Sequence, residues 1–541
     1  MIDKLLKVRI SKLAIVSGYL SFSIFYFFNI RMMYELDSSI YIIFSIYTFF
    51  IIFTIYCISE QDNFEELFLG YLASHFLLFY FSKYTKSPIP LIIVATALLW
   101  YYFLNYSNFK QQLNRYFSVI ISYCLGLITS VYILYTQTYR KLLTPSHELE
   151  LLNGTLHHDT LYRSAIANLF FQTGVPTVGI NNLNIVQTHF FSEIYLSVFT
   201  NTLYPGESSL FFIYFFQIIF IPAIFLLVFS NKRNSWKLSL LLGVILCQTI
   251  INDIWGTKTF NNLPFTVSLI FFMMGYSYIT KLNNQSRINL YNLSVLGVYL
   301  LLTLYSKILT GLALGLIFLL CLNYKKVDIK DIVLVLMAVI YPIYSIVFNT
   351  SQHIGTDDIF NSNWKIQTTL SVFILLTINY AFIPRKEKLP VVALFLSSAI
   401  FSYLINSGNQ SFFLEFVVVL FLIMILKTSF QFIVTSFTIG ILIVYFLTVT
   451  PQLGFVKGNF LNLFSIQDSP RSISSSYESW LEKIKPIEST KTVELAKDSF
   501  IWDIGYSCQY SYLLTQAVVS RPIIVYPPKE LQSCKGYGIS K

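Results

Sequence analysis

Charge is scarce in this chain. Asp, Glu, Lys and Arg make up 12% of its 541 residues, about half of what soluble globular domains carry, which excludes a soluble protein. Acids are the rarer sign, 27 against 37 bases, giving a net charge of +10. The bases are scattered in short loops rather than gathered in a patch, so nucleic acid is excluded as a partner. Only six cysteines occur. No Cys-x-x-Cys or His/Cys spacing is present, which leaves zinc without a ligand set. Cys57, Cys124, Cys247 and Cys321 lie in apolar runs, where a thiol acts as a small hydrophobe. Repeats are missing, as are low-complexity linkers outside 469–476. A cleavable leader is not evident either. The apolar run after Lys4, Lys7, Arg9 and Lys12 lacks a small-residue cleavage site and leads into further apolar runs, so it reads as a signal anchor.

What is abundant is apolar. Hydrophobic residues make up 55% of the chain, with 51 Phe and 38 Tyr, and the mean hydropathy is +0.63. Runs of about 16 to 23 apolar residues, long enough to cross a bilayer, fall at 13–30, 39–58, 66–82, 89–105, 116–136, 208–230, 238–255, 264–280, 289–305, 306–323, 331–348, 366–383, 390–405, 411–426 and 430–449. The expected fold is therefore an all-α polytopic transmembrane helical bundle of about 15 spans, with a small C-terminal α/β tail outside the membrane. Placing the N-terminus in the cytoplasm puts 18 of the 37 Lys and Arg residues in inner segments and 9 in outer loops, the rest lying in the tail. That excess follows the positive-inside rule. One inner loop dissents, 59–67, with four acids and no base. An odd number of spans puts the tail outside.

The division that follows is 1–115, N-terminal spans; 116–348, a core that includes an outer loop at 138–202; 349–450, C-terminal spans; and 451–541, the tail. Within the tail, 473–485 reads as helix and 499–502 and 522–526 as short strands. Cys508 and Cys534 are either two free thiols or, outside the cytoplasm, the halves of a disulfide worth about 3 kcal/mol by loop entropy.

The loop at 138–202 is the longest polar interruption, and it holds four of the six histidines: His147, His157, His158 and His189. Titratable groups in such a chain collect where chemistry is done. Asp159 precedes a helical pattern at Leu161, Ala165, Ile166, Leu169 and Phe170 that ends at Gly174 and Pro176. The spacing predicts an amphipathic surface helix with Asp159 as N-cap and Gly174 as C-cap. A carboxylate at a positive helix end stays ionised and is suited to accept a hydroxyl proton. Plain capping is the competing reading. Arg163, at i+4 from Asp159, is either half of an exposed ion pair or a phosphate clamp; His158 and Tyr162 share the same spacing. His189 then opens a second stretch, to about 203, expected as another surface helix. Asp253, near Trp255 and Lys258, is a further outer candidate. Lys307 interrupts an apolar block at a hinge between two spans, where it either snorkels or holds an anion.

An acidic residue in an outer loop, then a short helix in Asp159-Thr160-Leu161-Tyr162-Arg163-Ser164-Ala165-Ile166-Ala167-Asn168, then a Gly-containing turn and a second helix between two spans, resembles the first external loop of GT-C-type glycosyltransferases. That group includes the protein O-mannosyltransferases and the lipid A aminoarabinose transferases. The likeness covers the loop and, in topology, the seven spans of 116–348. Leu304 to Gly311, with Lys307 inside it, resembles a lysine-bearing turn of the aminoarabinose-transferase branch. The resemblance implies a polyprenyl-phosphate sugar donor, a glycan, lipid or protein acceptor, and Asp159 as base. Asp159 is the one position carried over; around it, this sequence offers His158 to assist and His157, Tyr162, Arg163, His189, Asp253 and Lys307 to bind substrate. Histidines stand where the family places a second carboxylate. The sequence calls for no cofactor and supplies no divalent-metal set. A bacterial plasma membrane is the expected location. Rival readings are a lipid-linked polysaccharide polymerase or ligase, a transporter or flippase, and a non-catalytic membrane subunit. No repeat of the 1–230 half is visible in 231–449, although inverted repeats mark many transporters.

Overall fold

The computed structural model describes residues 12–33, 38–85, 116–139, 158–177, 190–203, 215–230, 263–350, 392, 493–495 and 523–525. Helices dominate them: α1 Lys12–Met33, α2 Ser38–Ser59, α3 Phe64–Thr85, α4 Tyr116–Tyr139, α5 His158–Thr173, α6 Phe191–Leu203, a π-helical turn Phe215–Phe220 that runs into α7 Ile221–Ser230, α8 Leu263–Asn284, α9 Leu290–Ser306, α10 Ile308–Cys321 and α11 Ile329–Thr350. Nine of the fifteen apolar runs fall wholly or partly on these residues, and each is helical there. The other six, at 89–105, 238–255, 366–383, 390–405, 411–426 and 430–449, lie outside the described residues but for Val392. Two stretches, Ile42–Ser59 and Leu263–Asn284, are long and apolar enough to cross a membrane.

Local chemistry explains where the helices begin and end. The carbonyl of Asn63 accepts from Glu66 and Leu67, and Glu65 and Glu66 occupy the first turn of α3, where acids favour the positive end of the helix dipole. Lys83 and Lys281 stand in the last turns of α3 and α8. Asn289 caps α9 through its side chain, which accepts from the Asn292 amide at 2.9 Å.

Two kinds of contact hold the bundle. Where α1 crosses α4 the backbones touch: a Cβ on Gly18 would lie 2.2 Å from the Tyr123 carbonyl oxygen, and one on Gly126 would lie 2.0 Å from that of Ile15. Small residues permit such an approach, and close packing with interhelical hydrogen bonds holds helices together in lipid. Ser23 and Ser130 share a buried hydrogen bond of 2.5 Å across the same pair. Elsewhere interlocked aromatic and aliphatic side chains from α1, α2, α3, α6, α7, α8 and α9 form one apolar core.

At one end of the bundle the short loops are clasped together. Lys12 meets Glu60 at 2.7 Å, and Lys281 meets Glu66 at 3.7 Å and the Asp62 carbonyl at 3.1 Å. Lys326 donates to the carbonyls of Asn283 and Gln285, and the Ile288 amide donates to the Lys326 carbonyl. The acidic loop that dissents from the charge count thus shares an end with lysines that neutralise it. Below it, buried Glu65 accepts from Ser277 at 2.5 Å, and Tyr299 donates to the Glu65 carbonyl.

In the tail, β1 Val493–Leu495 pairs in parallel with β2 Ile523–Val525. The second strand falls within the expected 522–526; the first lies before the expected 499–502. The expected strand at 499–502, the helix at 473–485 and the Cys508 and Cys534 pairing lie outside the described residues.

Candidate functional site

Helix α5 opens at His158, two residues earlier than the capping pattern implies, so Asp159 stands in the first turn rather than at the N-cap. Its far end matches the expectation. Gly174 adopts φ +74°, and its amide donates to the Phe170 carbonyl at 2.8 Å, the left-handed stop that glycine makes without a Cβ penalty. Lys83 from the last turn of α3 donates to the Phe171 carbonyl and lies 5.2 Å from the Phe171 ring, a cation at the negative end of the α5 dipole. The side chains of His158 and Asp159, and the whole of His157, His189 and Asp253, lie outside the described residues.

The expected amphipathic surface helix is instead a buried one. Leu161, Arg163 and every residue from Ser164 to Phe171 are buried, so α5 is enclosed on more than one face. Tyr162 is half-buried. Arg163, 8% exposed, is not at the surface as an exposed pair requires. Its Nε lies 3.8 Å from Glu193 Oε1 on α6, and its Nη1 donates to Gln217 Oε1 at 3.4 Å. Glu193 is held in turn by Ser192, whose hydroxyl donates to Oε2 at 2.6 Å.

Helix α6 corrects a second expectation, that 190–203 lies on the outer surface. All residues from Ser192 to Leu203 are buried. Phe191 packs on Phe76 and Phe271, Tyr195 on His75 and Phe220, and Phe199 on Phe44, Tyr47 and Phe216. Of these partners Phe44, Tyr47, His75, Phe76 and Phe271 sit six to ten residues inside α2, α3 and α8 from the same end, roughly 9–15 Å deep at 1.5 Å per residue. Contacts at like depth along its length mean that α6 crosses the bundle rather than running with it. Its polar residues are the reason it fits there. Thr200 donates to the Leu196 carbonyl, Asn201 to that of Ser197 and Thr202 to that of Val198, so the helix satisfies its own hydroxyls and amide.

Lys307 occupies a one-residue break between α9 and α10, with extended φ −157° and ψ 117°. Its amide donates to Thr303 at 2.8 Å and its carbonyl accepts from Gly311 at 3.0 Å, so one residue ends one helix and begins the next. The corner is closed by Gly311, where a Cβ would lie 2.4 Å from Leu304 Cα. Lys307 is 7% exposed. Two residues before it, the Tyr305 ring lies 4.9 Å from that of Phe190 at the start of α6.

The start of α6 thus touches the surroundings of two expected binding residues: Glu193 in its first turn takes Arg163, and Phe190, the residue before the helix, packs on Tyr305, two residues before Lys307. It lies toward the end opposite the clasped loops, since α3 and α9 run from those loops to Thr85 and Ser306. Sequence reasoning missed Glu193, Gln217 and His75 as partners. His75 was open to discovery, being an ionisable residue inside an apolar run; Glu193 was masked by neighbours that read as interfacial. Among the described residues no group of His, Cys, Asp and Glu is placed to hold a metal. No protein-family model, curated protein or solved structure matches the chain.

Proposed function

We propose that this protein is a multi-pass membrane glycosyltransferase of GT-C type, moving a sugar from a polyprenyl-phosphate donor to an acceptor hydroxyl outside the cytoplasm. The observation that carries the proposal is that two cations are recessed in an otherwise apolar bundle: Arg163, paired with Glu193 in the first turn of α6, and Lys307, two residues after the Tyr305 that packs on Phe190 just before that turn. Cations are expensive in such a place and mark anion or substrate paths. In this reading about 15 spans sit in a bacterial plasma membrane, with the clasped lysine-bearing loops cytoplasmic and an α/β tail outside.

The chemistry is a displacement at the anomeric carbon. The acceptor oxygen forms the new glycosidic bond while the bond from the sugar to phosphate oxygen breaks, and the polyprenyl phosphate leaves with the electron pair. Asp159 takes the acceptor proton, and His157 and His158 orient the hydroxyl. Lys307 faces the departing phosphate, and its charge is the main stabilising group. Arg163, paired with Glu193, is the second cation facing the phosphate. Tyr162, His189 and Asp253 contact the sugar or acceptor.

Proteoliposomes with a radiolabelled polyprenyl-phosphate sugar test this reading. Asp159→Asn at normal membrane abundance is expected to lose at least about 100-fold in transfer rate. Transfer at the wild-type rate would remove Asp159 as the base. Movement of label across the bilayer without transfer would identify a transporter, and neither activity a non-catalytic subunit.

A further inference from the structure

Helix α3 buries an ionisable group to which the proposed chemistry gives no part. His75, ten residues before the end of the helix, is 3% exposed. Three tyrosine rings surround its imidazole: Tyr47 of α2 at 5.9 Å, Tyr195 of α6 at 5.6 Å and edge-on, and Tyr71, one turn earlier on α3, at 5.8 Å. Two of their hydroxyls reach its nitrogens. Tyr47 is bonded at Nε2, and Tyr195 at Nδ1 over 3.4 Å. A neutral imidazole offers one donor and one acceptor, so two hydroxyls, each able to play either part, satisfy both positions.

This polar link stands where the apolar packing gives little direction. Tyr195 also touches Phe76, Phe191, Phe216 and Phe220, and apolar attraction is non-directional. The polar ties that give α6 a direction are the Arg163 to Glu193 pair in its first turn and the Tyr195 to His75 link one turn on. Glu193 lies two residues before Tyr195, and a slip of α6 by one residue is a rotation of about 100°. Such a rotation takes Glu193 off Arg163.

We infer that His75 is a positioning residue: through the Tyr195 hydroxyl it fixes the rotation of α6 that presents Glu193 to Arg163 beside the Lys307 corner. Its consequence for transfer rests on the reading of Arg163 and Lys307 as phosphate-facing cations; its consequence for α6 does not.

The test uses the full chain in proteoliposomes, with His75→Phe, Tyr195→Phe, the double variant and His75→Gln. Losing one buried hydrogen bond corresponds to about a fivefold effect. His75→Phe and Tyr195→Phe are each expected to raise donor KM about fivefold with kcat little changed, and to speed amide hydrogen exchange across 191–203 by a similar factor. Because His75→Phe already removes the bond that Tyr195→Phe removes, the double variant should be no worse than His75→Phe alone. Glutamine, which keeps a donor and an acceptor, should recover most of the loss. Unchanged exchange in α6, or a double variant showing the product of the two single effects, would overturn the inference. If His75→Phe does not reach the membrane, Tyr195→Phe against His75→Gln carries the same comparison. Faster exchange in the variants, together with no sugar transfer by the wild type, would leave His75 as the anchor of α6 and remove the donor reading instead.

Discussion

Arg163 and Glu193 are both nearly fully buried, and each charge is tolerable there because the other faces it. Removing one partner strands the other in an apolar interior. Glu193→Ala is therefore expected to cost about 3–5 kcal/mol, while Arg163→Met with Glu193→Leu together costs less than Glu193→Ala alone. Thermal unfolding in detergent measures both; a double variant as unstable as the single would mean that the pair is not what holds α5 to α6. At this scale the sequence exposed Arg163 but not its partner. Asp159 is four residues away and Glu193 is thirty, and a helical spacing rule points only to the nearer one.

Between elements the most exacting contact is the crossing of α1 and α4. Any side chain at Gly18 or Gly126 must push backbone from backbone, since the obstructing atoms are carbonyl oxygens with no rotamer to change. Gly126→Val is expected to destabilise the protein by about 1–3 kcal/mol and to break the Ser23 to Ser130 hydrogen bond across the same pair. Cysteines at positions 23 and 130 would report it, losing their oxidative cross-link when Gly126→Val is added. Helix α5 and the corner at Lys307 were legible in sequence because their stop signals are local: Gly174 in a left-handed conformation, and one Lys between two apolar runs. Helix α6 was misjudged as a surface element for an equally physical reason. Thr200, Asn201 and Thr202 count as polar in any composition, yet bonded back to their own helix they make few demands on the surroundings.

For the whole molecule, the clasp of Lys12, Glu60, Glu66, Lys281 and Lys326 gathers one set of loops at a single end, and Lys83 and Lys307 lie toward the other. The acidic loop at 59–67 does not upset the charge asymmetry, because lysines from distant segments neutralise it. In a bilayer the two ends face opposite compartments. Exposed Lys325 and 82%-exposed Tyr84 mark them. Lys325→Cys and Tyr84→Cys, in a cysteine-free background, are expected to react with a membrane-impermeant maleimide from opposite sides. Labelling of both from the same side would show that the ends do not flank a membrane.

By itself the sequence determined, among the described residues, the helical character, the bounds of most apolar helices, the stop at Gly174 and the break at Lys307. All of these follow from hydrophobic periods and backbone preferences spanning a few residues, which a single chain displays without folding. The tertiary structure alone decided that α6 is enclosed, that Arg163 meets Glu193 and that His75 sits among three tyrosines. Tyr71 apart, those relations join residues 28 to 120 positions apart, and what selects them is the mutual fit of faces and the need to satisfy each buried charge, which no local pattern records.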